Sequence, residues 1–229
     1  MKKIEIKDIN GFVLFSHTAE NNSITLTVEA AVSCGVSLAN ANLAGTCLAV
    51  ADLTGADLTG ADLTGADISW ADLADAVLIG AKLEDADIKG AFLEGADLNE
   101  ADITGANINW ANLNGAKNIP FIPLVCPSEG AFVAWKKVEW KYLVKLQIPE
   151  DARRLSATTR KCRCDKALVL DITSLDGEEH YDEVTNTNYN KTIYKVGEFV
   201  YPDSFDENRW NECSHGIHFF INKEDAINY

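Results

Sequence analysis

Two short cysteine motifs carry the side chains of this sequence that are best suited to bind a metal ion. Cys162-x-Cys164 and Cys213-x-His215 each place two potential ligands two residues apart, and on a β-strand such residues share one face. If the two strands adjoined, three thiolates and one imidazole could form a tetrahedral Zn²⁺ site, with His218 as an alternative ligand. The spacing differs from that of zinc ribbons and fingers, so free thiols and a packed histidine are the competing interpretation.

The segment from Cys213 to His218 also brings a thiol and two imidazoles close together in sequence, as nucleophilic catalysis would need. A nucleophile requires a base and an orienting group in space, and a single strand rarely supplies both. Alternation along GIHFFI places His218 on the face opposite Phe219, as expected of a hydrogen-bonded, half-buried histidine. The chain contains no phosphate-binding glycine loop, no HExxH and no GxSxG motif. We therefore predict neither an enzymatic activity nor a cofactor.

The elements that would hold these side chains lie in residues 128–229, which we predict to form a small α+β domain made mostly of strands. The predicted strands are AFVAWKKVEW, KYLVKLQI, KALVLDI, NKTIYKVGEFVY and GIHFFI. Asn222 is predicted to cap a short last helix that has Glu224 and Asp225 in its first turn. Residues 116–127 hold three of the five prolines and are predicted to be a linker.

Residues 36–115 repeat a five-residue pattern. Every fifth residue from Leu38 to Leu113 is Leu or Ile, for 16 consecutive units. The residue two positions earlier is Ala in 14 units, Gly ends nine, and Asp or Asn precedes the aliphatic residue in 11. A helix would rotate successive aliphatic residues by ~140°, and a strand would alternate their faces. All of them can point inward only if the chain turns a corner in each unit, which predicts a solenoid of stacked, backbone-paired coils.

The A(D/N)LxG pattern resembles that of the pentapeptide-repeat family over residues 36–115. The resemblance implies a right-handed quadrilateral β-helix with four pentapeptides per coil, and hence four coils for the 16 units. The predicted fold class is mainly β. It combines this four-coil β-helix with an N-terminal hairpin-helix cap and a small, mostly β C-terminal domain.

Residues 1–35 are predicted to be that cap, because stacked coils leave unpaired backbone groups and an open apolar core at their ends. The stretches IEIKDI and FVLFSH flank Asn10-Gly11, a dipeptide typical of a type I′ hairpin turn. Ser23 is predicted to cap a helix through TLTVEAAVS, and Gly35 to end it.

Several large apolar residues occupy outward positions of the repeats. With 20 residues per coil, one column contains Val50, Trp70, Gly90 and Trp110. Contiguous apolar residues at outward positions mark a contact surface. The chain's own C-terminal half could cover it, or it could be an intermolecular contact, with either a second copy in a homodimer or another partner. The candidate binding-surface residues are Val50, Trp70, Val77, Ile79, Phe92 and Trp110.

The charge of the chain is strongly acidic, with 35 acidic against 20 basic residues and a net charge of −15. This balance argues against direct nucleic-acid binding, which needs a basic patch. Residues 36–115 contain 13 Asp and Glu but only two Lys. Some members of the pentapeptide-repeat family, which these residues resemble, are DNA mimics directed at gyrase. The alternative function is therefore that of an acidic DNA mimic that regulates a DNA-binding enzyme. Against it, Trp70 and Trp110 do not resemble a phosphate backbone, and Asp also suits tight turns and a solvated surface.

The C-terminal stretch CSHGIHFF (residues 213–220) is similar to the core of an uncharacterised domain often found behind pentapeptide repeats. That resemblance implies no activity. The leading prediction is a non-enzymatic macromolecule-binding or scaffold protein with an unknown protein partner. An enzyme or zinc protein seated in the C-terminal domain is the second alternative.

The sequence also bears on the location of the protein. No apolar run reaches the ~18 residues that would suggest a membrane span, and the N-terminal MKKIEIKDINGF lacks the apolar core of a signal peptide. We expect a cytoplasmic protein that does not bind membranes. Its six widely spaced cysteines are expected to be reduced.

Overall fold

The computed structural model describes residues 1–187, 191–211 and 213–229 of the chain. The protein is mainly β and divides into two compact units, Met1–Ile122 and Pro123–Tyr229. Within the described residues, no helix combines the length and the apolar character needed to cross a bilayer.

The first unit begins with a hairpin of two antiparallel strands, β1 (Lys2–Lys7) and β2 (Val13–Ala19). In the loop, one carboxylate oxygen of Asp8 accepts hydrogen bonds from the N–H groups of Asn10 and Phe12, at 2.9 and 2.8 Å. Gly11 has a φ of 88°, but Asn10 lacks the positive φ of a type I′ turn. The predicted type I′ turn is therefore wrong, because the Asp8 side chain satisfies the loop N–H groups and stabilises a longer loop.

Helix α1 (Ile24–Ser33) follows the hairpin and leads into the repeats. The Ser23 hydroxyl accepts a hydrogen bond from the Leu26 N–H at 3.1 Å, and Gly35 lies just beyond the helix with a φ of 68°. The hairpin also pairs with the second pentapeptide, since the Asn42 N–H donates to the Lys7 carbonyl at 2.8 Å.

The repeats form a ladder in which the backbone pairs with itself at an offset of 20 residues. Parallel bridges link Asp52 with Asp72 and Asp72 with Phe92. The N–H of an inward aliphatic residue donates to the carbonyl one turn of the ladder ahead, as from Leu58 to Val77 at 2.8 Å. One turn of the ladder therefore contains four pentapeptides, and residues 20 apart form a column along its side.

The interior of the first unit consists of the aliphatic residues of the repeat. Leu58 and Leu83 are fully buried, at 0% and 1% exposure. In the last turn of the ladder, Ile103 and Ile108 are only half-buried, whereas Leu98 and Leu113 are each 3% exposed. Ile119, Pro120 and Ile122 line the same interior and partly close this end.

Each pentapeptide turns its corner at its fifth residue. The N–H of the next Ala donates to the carbonyl of the inward aliphatic residue, as from Ala56 to Leu53 at 3.0 Å, and the residue at the corner has a positive φ in all 16 units. This is the geometry of a type II turn, which favours glycine at that position.

The second unit contains nine strands and one helix among its described residues. They are β3 (Phe132–Val138), β4 (Tyr142–Ile148), β5 (Arg154–Ser156), β6 (Lys161–Cys164), β7 (Ala167–Ser174), β8 (Glu183–Asn186), β9 (Thr192–Lys195), β10 (Phe199–Val200), β11 (Ile217–Phe220) and α2 (Lys223–Asn228). Seven of the strands form an antiparallel sheet with the order β10-β7-β4-β3-β11-β6-β5. A two-stranded sheet pairs β8 with β9, and α2 follows β11.

Most of these strands lie in the predicted stretches, but β5, β6 and β8 do not. Asn190, the first residue of one predicted strand, lies outside the described residues. Strand β6 has the sequence KCRC and buries all four residues, including the cations of Lys161 and Arg163. The Asn222 side chain accepts a hydrogen bond from the Glu224 N–H at 2.8 Å and begins α2.

Candidate functional site

The candidate site of the first unit is the corner column of Val50, Trp70, Gly90 and Trp110, here called the aromatic corner. Its four residues have φ values of 63°, 59°, 67° and 68°. The exposed fraction is 74% for Val50, 51% for Trp70 and 49% for Trp110. Large apolar side chains therefore stand at positions where the repeat usually has glycine.

These side chains come at a conformational cost. A left-handed backbone costs a residue other than glycine about 1–2 kcal/mol, and it is an outlier for a β-branched residue such as Val50. Because Trp70 and Trp110 are about half exposed, burial offsets that cost only in part. Strained residues that persist at the surface are associated with binding sites.

Trp70 and Gly90 are in direct contact across one turn of the ladder. A Cβ atom added to Gly90 would lie 2.6 Å from Cδ2 and Cε3 of the Trp70 ring. The indole therefore lies directly against the glycine backbone of the next turn. A residue with a side chain at position 90 would force the ring away.

The other predicted surface residues divide into two groups. Phe92 lies in the column next to the aromatic corner, between Asp72 and Asn112, and is 47% exposed. Val77 and Ile79 are half-buried one side further on, where Val77 pairs with Asp57 and Asp97. The structure thus groups Val50, Trp70, Phe92 and Trp110 together and leaves Val77 and Ile79 apart.

The acidic residues of the repeats serve the turns. All 11 Asp and Asn residues that precede an inward aliphatic residue accept a hydrogen bond from the N–H two positions ahead. Hydrogen bonds from the side chain and the backbone of Thr54 lower the pKa of Asp52. Those from Ser37 and Thr59 do the same for Asp57. These carboxylates therefore stay ionised at neutral pH and also stabilise the fold.

In the second unit, Cys162 and Cys164 are buried on one face of β6, as their spacing predicts. They pair with Phe219 and Ile217 of β11, whereas His218 pairs with Arg163. Paired residues of adjacent strands share a face. His218 therefore lies on the opposite face from both thiols, and its predicted role as their alternative co-ligand is wrong.

Cys213 and His215 do not complete a metal site with the two buried thiols. The Cys213 thiol lies 3.5 Å from Nζ of Lys161, whose side chain leaves β6 on the face opposite Cys162. His215 Nδ1 lies 3.3 Å from the carboxylate of Asp203. Among residues 1–187, 191–211 and 213–229, no three His, Cys, Asp or Glu side chains form a group that could hold a metal ion.

Cys126 belongs to neither of the two cysteine motifs of the sequence. Its neighbours in residues 121–129 are mostly exposed, yet Cys126 is buried in the core of the second unit with Cys162. A hydrogen bond from the Cys162 thiol, with smaller contributions that include Ser156, lowers the pKa of Cys126 to about 7. Nothing in the local sequence distinguishes Cys126 from the other cysteines, because the contact depends on the tertiary fold.

Comparison with known families divides the chain in two. A family described as pentapeptide repeats matches residues 35–75 and 81–117 in 8 copies. A family of unknown function, DUF5758, matches residues 122–226. No curated protein matches the chain.

Several solved structures are similar to part of this chain. HetL, a pentapeptide repeat protein involved in heterocyst differentiation regulation from the cyanobacterium Nostoc sp. strain PCC 7120, is 36% identical over 35% of this chain and 40% of its own, with a TM-score of 0.22. A pentapeptide repeat protein of the Arabidopsis thaliana thylakoid lumen is 30% identical over 38% of this chain and 63% of its own, with a TM-score of 0.23. The chain thus spans less than two thirds of each of these relatives.

A further pentapeptide repeat protein from Nostoc PCC 7120 is 31% identical over 43% of this chain and 78% of its own, with a TM-score of 0.24. The chain belongs to the pentapeptide-repeat family. Within this pentapeptide-repeat protein, nine of the 16 corners are glycine, and the aromatic corner is where the sequence departs most from that rule.

Proposed function

We propose that this pentapeptide-repeat protein is a non-enzymatic scaffold that binds another protein through the aromatic corner. The observation that carries the proposal is the pair Trp70 and Trp110, two exposed indoles held in the left-handed conformation 40 residues apart in one column. Tryptophan is enriched among the residues that contribute most to protein–protein binding. Phe92 in the neighbouring column widens the same apolar surface.

We propose that the repeats are a rigid support for this surface. Residues 36–115 would form four coils of a right-handed quadrilateral β-helix, and the hairpin and α1 would close its first end. The backbone ladder and the buried aliphatic residues support this role. A surface held by such a ladder loses little conformational entropy when a partner binds.

The high acidity raises a DNA mimic as the alternative. The turn hydrogen bonds of the Asp residues give most of that charge a structural reason, and three exposed aromatic residues interrupt the acidic surface. We therefore place the binding function at the aromatic corner rather than in the acidic surface as a whole.

The test uses the intact chain as bait for host proteins. We expect the double variant Trp70→Gly/Trp110→Gly to lose a protein that the wild type captures, because both indoles are removed while the left-handed backbone is kept. Trp140→Gly is the matched control, since Trp140 is also exposed, at 71%, and has a φ of 59°, but lies in the second unit. Equal capture by the wild type and the double variant would overturn the proposal, as would loss of capture in the Trp140 control alone.

A further inference from the structure

We infer that the aromatic corner binds a cationic segment, rich in arginine or lysine, of the partner protein. The inference rests on the proposed function and adds the chemistry of the partner. It follows from the tryptophans, from the carboxylates on both sides of them, and from the mismatch between this surface and other occupants.

The five tryptophans of the chain differ in what covers their rings. In the second unit, Lys145 lies over Trp135 at 5.6 Å, Lys137 over Trp140 at 5.1 Å and Arg209 over Trp210 at 4.5 Å, measured to the ring centroids. In the part of the chain that the structure describes, no cation lies over Trp70 or Trp110. These two exposed rings can therefore accept a cation from outside the chain.

Carboxylates flank the aromatic corner on both sides. Asp67 pairs with Asp87 in the column that precedes the aromatic corner along the chain. Asp52 pairs with Asp72 in the column that follows it. The turn hydrogen bonds of these residues use Oδ1, which leaves Oδ2 as an acceptor for an outside donor.

An arginine or lysine side chain fits this arrangement in two ways. Its charged group can stack on an indole and also donate a hydrogen bond to a neighbouring carboxylate. Arginine can in addition contact a carboxylate through two parallel hydrogen bonds. The combination favours a cationic segment over a purely apolar one, which would leave the carboxylates desolvated and unpaired.

Other occupants fit less well. A second copy of this chain would bring two acidic surfaces together, because residues 36–115 carry 13 acidic residues against two lysines. Like charges in close contact oppose association. A nucleic acid would meet the same repulsion from its phosphates. Charge complementarity therefore selects a basic protein segment.

The experiment measures binding of a labelled 12-residue peptide of alternating arginine and glycine to the full chain by fluorescence anisotropy. The comparison peptide carries citrulline, which is neutral, in place of every arginine. We expect the arginine peptide to bind and the citrulline peptide to bind at least about tenfold more weakly. Trp70→Gly/Trp110→Gly should weaken arginine-peptide binding about tenfold, and Trp140→Gly should leave it unchanged.

A second variant tests the carboxylates without disturbing the turns. Asp67→Asn/Asp87→Asn keeps a side-chain oxygen that can accept the hydrogen bond of the turn N–H. Asn107 of the same column accepts such a bond from the Asn109 N–H. We expect it to weaken peptide binding several-fold and to reduce the dependence of binding on NaCl concentration. Loss of binding with these changes, in variants whose thermal unfolding midpoint is no lower than that of the wild type, supports the inference.

Two results would overturn it. Equal binding of the arginine and citrulline peptides would show that charge is not recognised. Binding that is unaffected by the Trp70/Trp110 variant would show a diffuse attraction to the acidic surface. If the tryptophan variant still loses a captured host protein in either case, the proposed function stands and only the cationic nature of the partner fails.

Discussion

Gly90 and Gly80 occupy equivalent corners of the repeat and differ in one neighbour. Gly90 contacts the Trp70 ring, whereas a Cβ added to Gly80 would meet nothing within 4 Å. Both have a positive φ, of 67° and 64°. We expect Gly80→Ala to lower the free energy of unfolding by about 1 kcal/mol through backbone strain alone. Gly90→Ala should lower it by about 1–3 kcal/mol more, because the new methyl group displaces the indole.

Urea denaturation of the two variants measures this difference, and a third protein identifies its cause. In a Trp70→Gly background, Gly90→Ala should cost no more than Gly80→Ala, because the ring is gone. Equal effects of the two alanine substitutions in the wild-type background would mean that Trp70 does not lie against Gly90.

Lys136 on β3 permits a test of pH dependence. Desolvation of the half-buried ammonium group, together with the nearby Lys161, lowers the pKa of Lys136 to about 8 from 10.5. Below pH 8 both the folded and unfolded states are protonated, so the folded state carries the full cost of desolvating the half-buried cation. Between pH 8 and 10.5 the folded state loses its proton first, and stability rises with pH.

Lys136→Met should therefore raise the free energy of unfolding at pH 7 by about 1–3 kcal/mol. The gain should shrink towards pH 10, because Lys136 of the folded wild type is neutral there. Lys141→Met, at an exposed position of the β3–β4 turn, is the control for the loss of a positive charge. A gain that is the same at pH 7 and pH 10 would contradict the assigned cause.

At the scale of the element, the repeat ladder assigns opposite roles to adjacent residues. Leu83 is fully buried and Lys82 beside it is exposed. We expect Leu83→Ala to cost about 2–5 kcal/mol of unfolding free energy and Lys82→Ala less than about 0.5 kcal/mol. Ile103→Ala should cost less than Leu83→Ala, because Ile103 is only half-buried. Similar losses for Leu83 and Lys82, measured by urea denaturation, would contradict the ladder.

The repeat ladder was the most predictable element, because the same pattern of an inward aliphatic residue and a corner recurs in all 16 units. Strand β6 was the least predictable. Its KCRC sequence has no apolar alternation, and the burial of Lys161 and Arg163 depends on contacts from distant segments. The face of His218 likewise required the pairing of β11 with β6, which no local pattern reveals.

The candidate site shows the same division. The column of Val50, Trp70, Gly90 and Trp110 followed from the five-residue repeat together with the four units per coil that the family resemblance implies, and the ladder has that 20-residue offset. The contact of the Trp70 ring with Gly90 and the hydrogen bond between Cys126 and Cys162 did not. Side-chain contacts between non-adjacent residues depend on rotamers and packing, which the period does not specify.

At the scale of the whole molecule, the two compact units should unfold in two transitions. Leu83 is buried in the first unit and Val144 in the second. We expect calorimetry to show two transitions, with Leu83→Ala lowering the midpoint of one and Val144→Ala that of the other. A single transition that both substitutions shift equally would show that the units unfold as one cooperative body.

Salt should act mainly on the transition that Leu83→Ala identifies. Residues 36–115 carry 13 acidic residues and two lysines, whereas residues 123–229 carry 18 acidic and 14 basic residues. Repulsion among the carboxylates destabilises the repeats, and it weakens as the Debye length falls from ~30 Å at 0.01 M salt to ~3 Å at 1 M. Raising NaCl over this range should therefore increase the midpoint of the first unit more than that of the second. Potassium chloride serves as the control for a specific effect of sodium. An equal rise in both midpoints would mean that the turn hydrogen bonds already offset the repulsion among the Asp residues.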